Sequence, residues 1–176
     1  MSKFVIATVA ERGAGKTFFG DMVKKLLPDR RVEWIRFSDI WRDILRILGK
    51  DVSRPNLSAV ATAIRAAFND DGVLSGAIKK RVEESNADVV ILDGLRKPEE
   101  VPLVRELNGM LLSITADKKI RFDRRQKNPE NADDFSMTWE QFLDQDDLPT
   151  EVDIRRIGET MADATIENSG AVEEFE

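Results

Sequence analysis

The sequence predicts an α/β fold with a mostly parallel sheet, and three observations carry that expectation. Short apolar runs rich in β-branched residues alternate with stretches of helical spacing along the 176 residues. The apolar runs are continuous, as expected of strands covered on both faces. A glycine-rich segment joins the first run to the first helical stretch, the edge at which such folds bind ligands.

Each element follows in order. Lys3 to Val9 reads as a buried strand, punctuated by Gly13 and Gly15. Thr17 to Leu27 has helical spacing and stops at Pro28. Val32 to Phe37 is a second strand, and Ser38 is the expected N-cap of a helix to about Leu48, with Gly49 beyond its end. Leu57 to Phe68 and Val73 to Val82 read as helices separated by Asn69-Asp70-Asp71-Gly72. Asp88 to Leu92 is a third strand. Pro98 then suits a first helical turn, with Glu99 and Glu100 at its positive end. Met110 to Ile114 is a fourth strand, and a charged helix starts at Lys118. The polar stretch Gln126 to Met137, with Pro129, reads as a loop or mobile lid. Trp139 to Leu143 and Ile154 to Met161 read as helical, and Ala164 to Glu167 as a last short strand.

Composition narrows the chemistry. The chain has 27 Lys plus Arg against 33 Asp plus Glu, a net charge of −6. That balance argues against a general nucleic-acid binder, which needs a basic face. With no Cys and no His, disulfides, thiol nucleophiles, Cys- or His-based metal sites and histidine triads are all excluded. Acid–base work falls to Asp, Glu or Lys. The start MSKFVIATVAERGAGKT does not read as a signal peptide, and no apolar run approaches the ~20 residues of a membrane span. A cytoplasmic protein of one domain is the expectation; oligomeric state is left open.

The sharpest motif is AERGAGKT, Ala10 to Thr17, between a strand and a helix. Backbone N–H groups of Arg12, Gly13, Ala14, Gly15, Lys16 and Thr17 would cradle anionic oxygens. Lys16 would reach the β- and γ-phosphates of a nucleotide, and Thr17 would place its hydroxyl on Mg²⁺. The pattern departs from G-x-x-x-x-G-K-[ST] at Ala10, where glycine is expected. In VVILDGLRKPEE, Asp93 ends a buried strand, a position suited to holding Mg²⁺, and Arg96 follows three residues on as a candidate grip for an acceptor phosphate. In FSDIWRDIL, Asp39 and Arg42 are three apart and share a helix face, and Arg65 is a further candidate substrate contact. KKIRFDRRQK concentrates positive charge in an acidic protein, with Arg121, Arg124 and Arg125 at helical spacings. Phosphoryl transfer needs cations there to neutralise the migrating group.

Taken in order, AERGAGKT, FSDIWR, ILDGLR, RFDRR, TWEQF and ADATIENSG resemble the P-loop kinases of small molecules over nearly the whole chain. The likeness is to adenylate-kinase-related and dephospho-CoA-kinase-like proteins; deoxynucleoside monophosphate kinases are also similar from Asp93 to Glu100. This resemblance implies a three-layer α/β/α core with a five-stranded parallel sheet of nucleotide-kinase type. It implies one domain over 1–176, with an acceptor-binding helical region about 39–85 and a lid about 118–148. The implied cofactors are ATP and Mg²⁺, and the implied partner is a small-molecule nucleotide. Asp39-x-x-Arg42 resembles the acceptor element of adenylate kinases, and Arg121, Arg124 and Arg125 match the lid that contacts ATP. Asn168-Ser169-Gly170 resembles the C-terminal turn placed against the adenine. The expected reaction is transfer of the ATP γ-phosphate to a nucleoside monophosphate. The alternatives are transfer to a ribose hydroxyl, with Asp39 as base, and a nucleotide-binding switch with no acceptor.

Overall fold

The computed structural model describes residues 3–127 and 136–170. Five strands form one sheet, β1 (Phe4–Ala10), β2 (Val32–Arg36), β3 (Val89–Asp93), β4 (Met110–Thr115) and β5 (Ala164–Glu167). Their spatial order is β2-β3-β1-β4-β5, and every pairing is parallel. The helices are α1 (Lys16–Leu26), α2 (Phe37–Ile47), α3 (Arg54–Phe68), α4 (Ser75–Glu84), α5 (Val101–Glu106), α6 (Lys118–Lys127), α7 (Trp139–Asp146) and α8 (Pro149–Thr160).

The period of two along β1 builds the three layers. Val5, Ala7 and Val9 face a core shared with Phe37 and Trp41 of α2, Ile78 and Val82 of α4, Leu103 and Val104 of α5, and Ile154 and Ile157 of α8. Ile6 and Ala10 face the opposite core, where α1 contributes Phe19 and Val23. Gly20 lets α1 lie close: a Cβ there would fall on the Trp34 ring of β2. A third cluster stands apart, with Phe122 of α6 against Trp139 and Phe142 of α7 at ring-centroid distances of 5.3 and 5.6 Å.

Most element boundaries fall within two residues of the sequence expectation, but α8 starts at Pro149 rather than Ile154 and α7 runs past Leu143 to Asp146; three further local expectations change. Ser38 is not an N-cap, because β2 runs straight into α2 and Phe37 is already helical, with Arg36 as the extended residue before it. α3 starts at Arg54, where Ser53 caps it and Pro55 sits in the first turn, so it gains a turn over the expected Leu57 start. Pro98–Glu100 is a separate 3₁₀ turn before α5. Its Glu100 is buried: the carboxylate accepts the N–H groups of Arg96 and Lys97. Most of the expected loop at Gln126 to Met137 lies outside the described residues. Among the described residues no helix is long and apolar enough to cross a membrane.

Candidate active site

The sheet order sets β3 directly beside β1, with Thr8 opposite Asp93. The phosphate-loop motif at the end of β1 and the acidic end of β3 therefore emerge side by side. Gly13 and Gly15 take φ of +80° and +106°, a region L-residues avoid. A Cβ at Gly13 would meet the Arg121 carbonyl, and one at Gly15 would fall on the Asn168 amide. Ala10, where the motif expects glycine, is the last residue of β1 and needs no positive φ, so its methyl is accommodated. Its carbonyl accepts from Lys16 Nζ at 3.4 Å. Thr17 is exposed in the first turn of α1.

Asp93 is the acidic partner. Its Oδ2 lies 3.8 Å from Arg36 Nε, while its buried Oδ1 has no hydrogen-bond partner. A buried polar oxygen left bare is expensive unless something completes it. This orphaned oxygen beside the phosphate loop fits Mg²⁺, held directly or through water, with Thr17 as the second protein oxygen. Among the described residues no group of three or more carboxylates could hold a metal, so phosphate oxygens and water would supply the remaining ligands.

Asn168 ties the carboxyl end of the sheet to the loop. Its Nδ2 donates to Ala14 O at 2.7 Å, and its Oδ1 accepts from Arg124 at 3.3 Å. Another Arg124 nitrogen, Nη1, is buried without a partner. Ser169 Oγ accepts the Asp117 N–H at 2.8 Å, ahead of α6. Gly170 follows this turn and is exposed.

The basic helix divides its arginines between different tasks. Arg121 is 1% exposed and is not a free cation. It forms a two-pronged pair with Asp146 at 2.8 and 3.2 Å and reaches Glu11 at 3.2 Å and the Ala116 carbonyl at 3.1 Å. Asp146 also takes Lys118 at 3.0 Å and Arg155 at 3.2 Å. Burial works against the Asp146 carboxylate; the hydrogen bonds from Arg121 and Lys118 outweigh it and hold its pKa below the ordinary value. A closed ion network thus locks Glu11 of the loop to α6, α7 and α8. Nothing in the sequence separated Asp146 from Asp144 and Asp147, since only burial distinguishes it. Glu11 occupies a variable motif position, and Arg155 carries no motif.

A second network surrounds Glu151 of α8, which is 1% exposed. Arg12 Nε lies 2.9 Å and Arg96 Nη1 3.6 Å from its Oε1. Arg12 and Arg125 share the Gln145 side-chain oxygen at 3.4 and 3.2 Å. Burial lowers the Arg12 pKa to about 10; the charge of Glu151 opposes this, and Arg54, Arg96 and Arg125 add to it.

Two expected acceptor residues sit elsewhere. Arg65 pairs with buried Glu100 at 3.2 Å, donates to the Asp71 carbonyl and lies 5.6 Å over the Trp41 ring, which occupies its guanidinium structurally. Burial raises the Glu100 pKa, with Arg65 and the two backbone N–H groups opposing. Arg42 faces Asp39 at 3.8 Å on α2, as the spacing predicts. Asp39 lines a cleft of about 660 Å³ along the open edge of β2, a cleft to which no phosphate-loop residue contributes.

No protein-family model matches the chain. It is 30% identical over 176 residues to a UPF0200 protein of Saccharolobus solfataricus, covering 97% of this chain and 87% of that one. The chain belongs to the UPF0200 family. A UPF0200 protein of Methanothermobacter thermautotrophicus is 27% identical over 149 residues, 84% of this chain and 72% of the relative. The solved structures similar to this UPF0200 chain include a shikimate kinase of Acinetobacter baumannii in complex with shikimate, at TM-score 0.53 and 14% identity over 96% of this chain and 85% of the other. They also include a gluconokinase of Sinorhizobium meliloti, at TM-score 0.53 and 14% identity over 99% and 86%. The fold is therefore that of the P-loop kinases, as the sequence predicts.

Proposed function

We propose that this UPF0200 chain is an ATP- and Mg²⁺-dependent kinase that transfers the γ-phosphate to a nucleoside monophosphate or a related nucleotide. The observation that carries the reading is the pairing of a glycine-built phosphate loop with a buried, unpartnered Asp93 oxygen on the adjacent strand. The adenylate-kinase-related likeness of the motifs supports a nucleotide acceptor.

The loop amides from Arg12 to Thr17 bind the donor phosphates, and Lys16 neutralises the β- and γ-oxygens. Thr17 and Asp93 hold Mg²⁺, which when bound shields the charge of the donor phosphates. Asn168, with Ser169 and Gly170, shapes the donor side and holds Arg124 toward it. Arg124 and Arg125 are the cations that stabilise the transferring group, while Arg121 positions the loop through Glu11. Arg96 receives the acceptor. An acceptor phosphate oxygen attacks Pγ as the bond from Pγ to the bridging oxygen breaks, releasing ADP. Because the attacking oxygen is already anionic, no general base is required.

The test is transfer from γ-labelled ATP with Mg²⁺ to a panel of ribo- and deoxynucleoside monophosphates and dephospho-CoA. A labelled diphosphate is expected, and Lys16→Ala should reduce its formation at least 100-fold while the circular dichroism spectrum stays unchanged. Near-normal turnover in that variant would falsify the reading. ATP hydrolysis that no acceptor alters would make the chain a switch.

A further inference from the structure

The turn after β5 reaches the phosphate loop through one side chain. Asn168 is 6% exposed, and both ends of its amide are engaged inside the protein. Its Nδ2 donates to Ala14 O at 2.7 Å, and its Oδ1 accepts from Arg124 at 3.3 Å. Its own N–H donates to Thr115 O at 2.7 Å, so the residue is fixed to β4 as β5 ends. The Ala14–Gly15 peptide that it grips is trans, so its C=O and N–H point in opposite directions. Holding the carbonyl on Asn168 therefore turns the Gly15 N–H away from Asn168 and into the loop. Ala14 cannot set this orientation through its own N–H, which closes a turn onto Glu11 O at 3.2 Å. Gly15 cannot set it either. Glycine populates positive and negative φ about equally, so its φ of +106° needs an outside hold. The missing side chain also gives Asn168 its room, since a Cβ at Gly15 would fall on the amide.

Resting on the kinase reading above, we infer that Asn168 is a positioning residue for the donor phosphates: by holding the Ala14 carbonyl it aims the Gly15 N–H at them, and through Oδ1 it ties Arg124 to the same peptide. Its side chain acts on the polyphosphate and not on the nucleobase, because both polar ends of the amide are committed within the protein. The ligand that senses Asn168 is then a polyphosphate, whatever base it carries.

The test uses the full chain with Mg²⁺, titrated calorimetrically with a non-hydrolysable ATP analogue and with inorganic tripolyphosphate, which has no base. Asn168→Ala should weaken both ligands by the same factor, about tenfold for one buried hydrogen bond. Weakening of the ATP analogue alone would mean a contact to the base and overturn the inference. The direct readout is the Gly15 amide proton in nuclear magnetic resonance spectra of labelled protein. At saturating tripolyphosphate it should move downfield in the wild type and stay in place in Asn168→Ala. A merely structural role would lower the thermal midpoint and leave that shift intact. Asn168→Asp keeps the size and the acceptor for Arg124, but an ionised carboxylate cannot donate to Ala14 O. It should lose the Gly15 shift as well, and it decides the matter if Asn168→Ala fails to fold. Undiminished tripolyphosphate binding in a folded variant, a Gly15 shift that persists there, or no tripolyphosphate binding by a wild type that binds the ATP analogue overturns the positioning role and leaves the kinase reading standing. Failure of the ATP analogue itself to bind overturns both.

Discussion

Gly15 and Asp146 contribute in opposite ways, one by lacking a side chain and the other by burying a charge. At Gly15 the backbone sits at φ +106° and the Asn168 amide occupies the space a Cβ would need. Gly15→Ala combines backbone strain of about 1–3 kcal/mol with displacement of Asn168. We expect a lower thermal midpoint and at least tenfold weaker binding of ATP, measured by calorimetry. Asp146 balances Arg121, Lys118 and Arg155. Asp146→Asn leaves the buried Arg121 with Glu11 as its remaining charged partner and should cost about 3 kcal/mol in urea unfolding. The pH dependence follows from the depressed pKa. The unfolded carboxylate titrates near 3.8 and the folded one below it, so its contribution is complete above 3.8 and is lost as pH falls through the lower value. The variant should therefore show a shallower acid limb below pH 4. Glu100 has the opposite sign: its raised pKa makes the folded state hold a proton above 4.5, so that contribution weakens as pH rises through the window.

Elements meet through a few close contacts. α1 reaches the sheet because Gly20 presents bare backbone to the Trp34 ring. Gly20→Ala should push the helix or the ring aside and destabilise by about 1–3 kcal/mol. A double-mutant cycle checks the cause: in a Trp34→Leu background the penalty should shrink, because the clashing ring is gone. An unchanged penalty would place the effect elsewhere in α1. The strand and helix pattern that predicts this packing was legible in the chain, since Val5, Ala7 and Val9 face one core and Ile6 and Ala10 the other. The junction at Phe37 was not legible. Ser38 has the chemistry of an N-cap, but β2 enters α2 without a turn, and chain direction overrides local preference.

The whole molecule has a sheet core and a smaller aromatic core, and the two differ in what they hold. Phe122, Trp139 and Phe142 join α6 to α7 apart from the sheet, and Arg121 and Arg125 lie 5.4 and 5.8 Å over the Phe142 ring. Phe142→Ala removes a ring that is 1% exposed, at a cost of about 3–5 kcal/mol. Amide hydrogen exchange should show protection falling in α6 and α7 while β1, β3 and β4 keep theirs, because those strands draw on the other cores. Uniform loss across the sheet would mean that the aromatic cluster is part of one cooperative core.

By itself the sequence determined the α/β class, the glycine-rich turn between β1 and α1, the acidic end of β3 at Asp93, and the lack of any Cys- or His-based chemistry. These are local: a strand, a turn and a helix start lie contiguous in the chain, and residue type alone reveals their chemistry. Tertiary structure decided what each arginine does. Arg65, Arg96, Arg121 and Arg125 carry the same group and all read as candidate site cations. Glu100 claims the first, Glu151 draws the second beside Arg12, Asp146 and Glu11 enclose the third, and Gln145 takes the fourth. An ion pair's partner and dielectric depend on which distant segments the sheet order β2-β3-β1-β4-β5 brings together, and no local spacing encodes that.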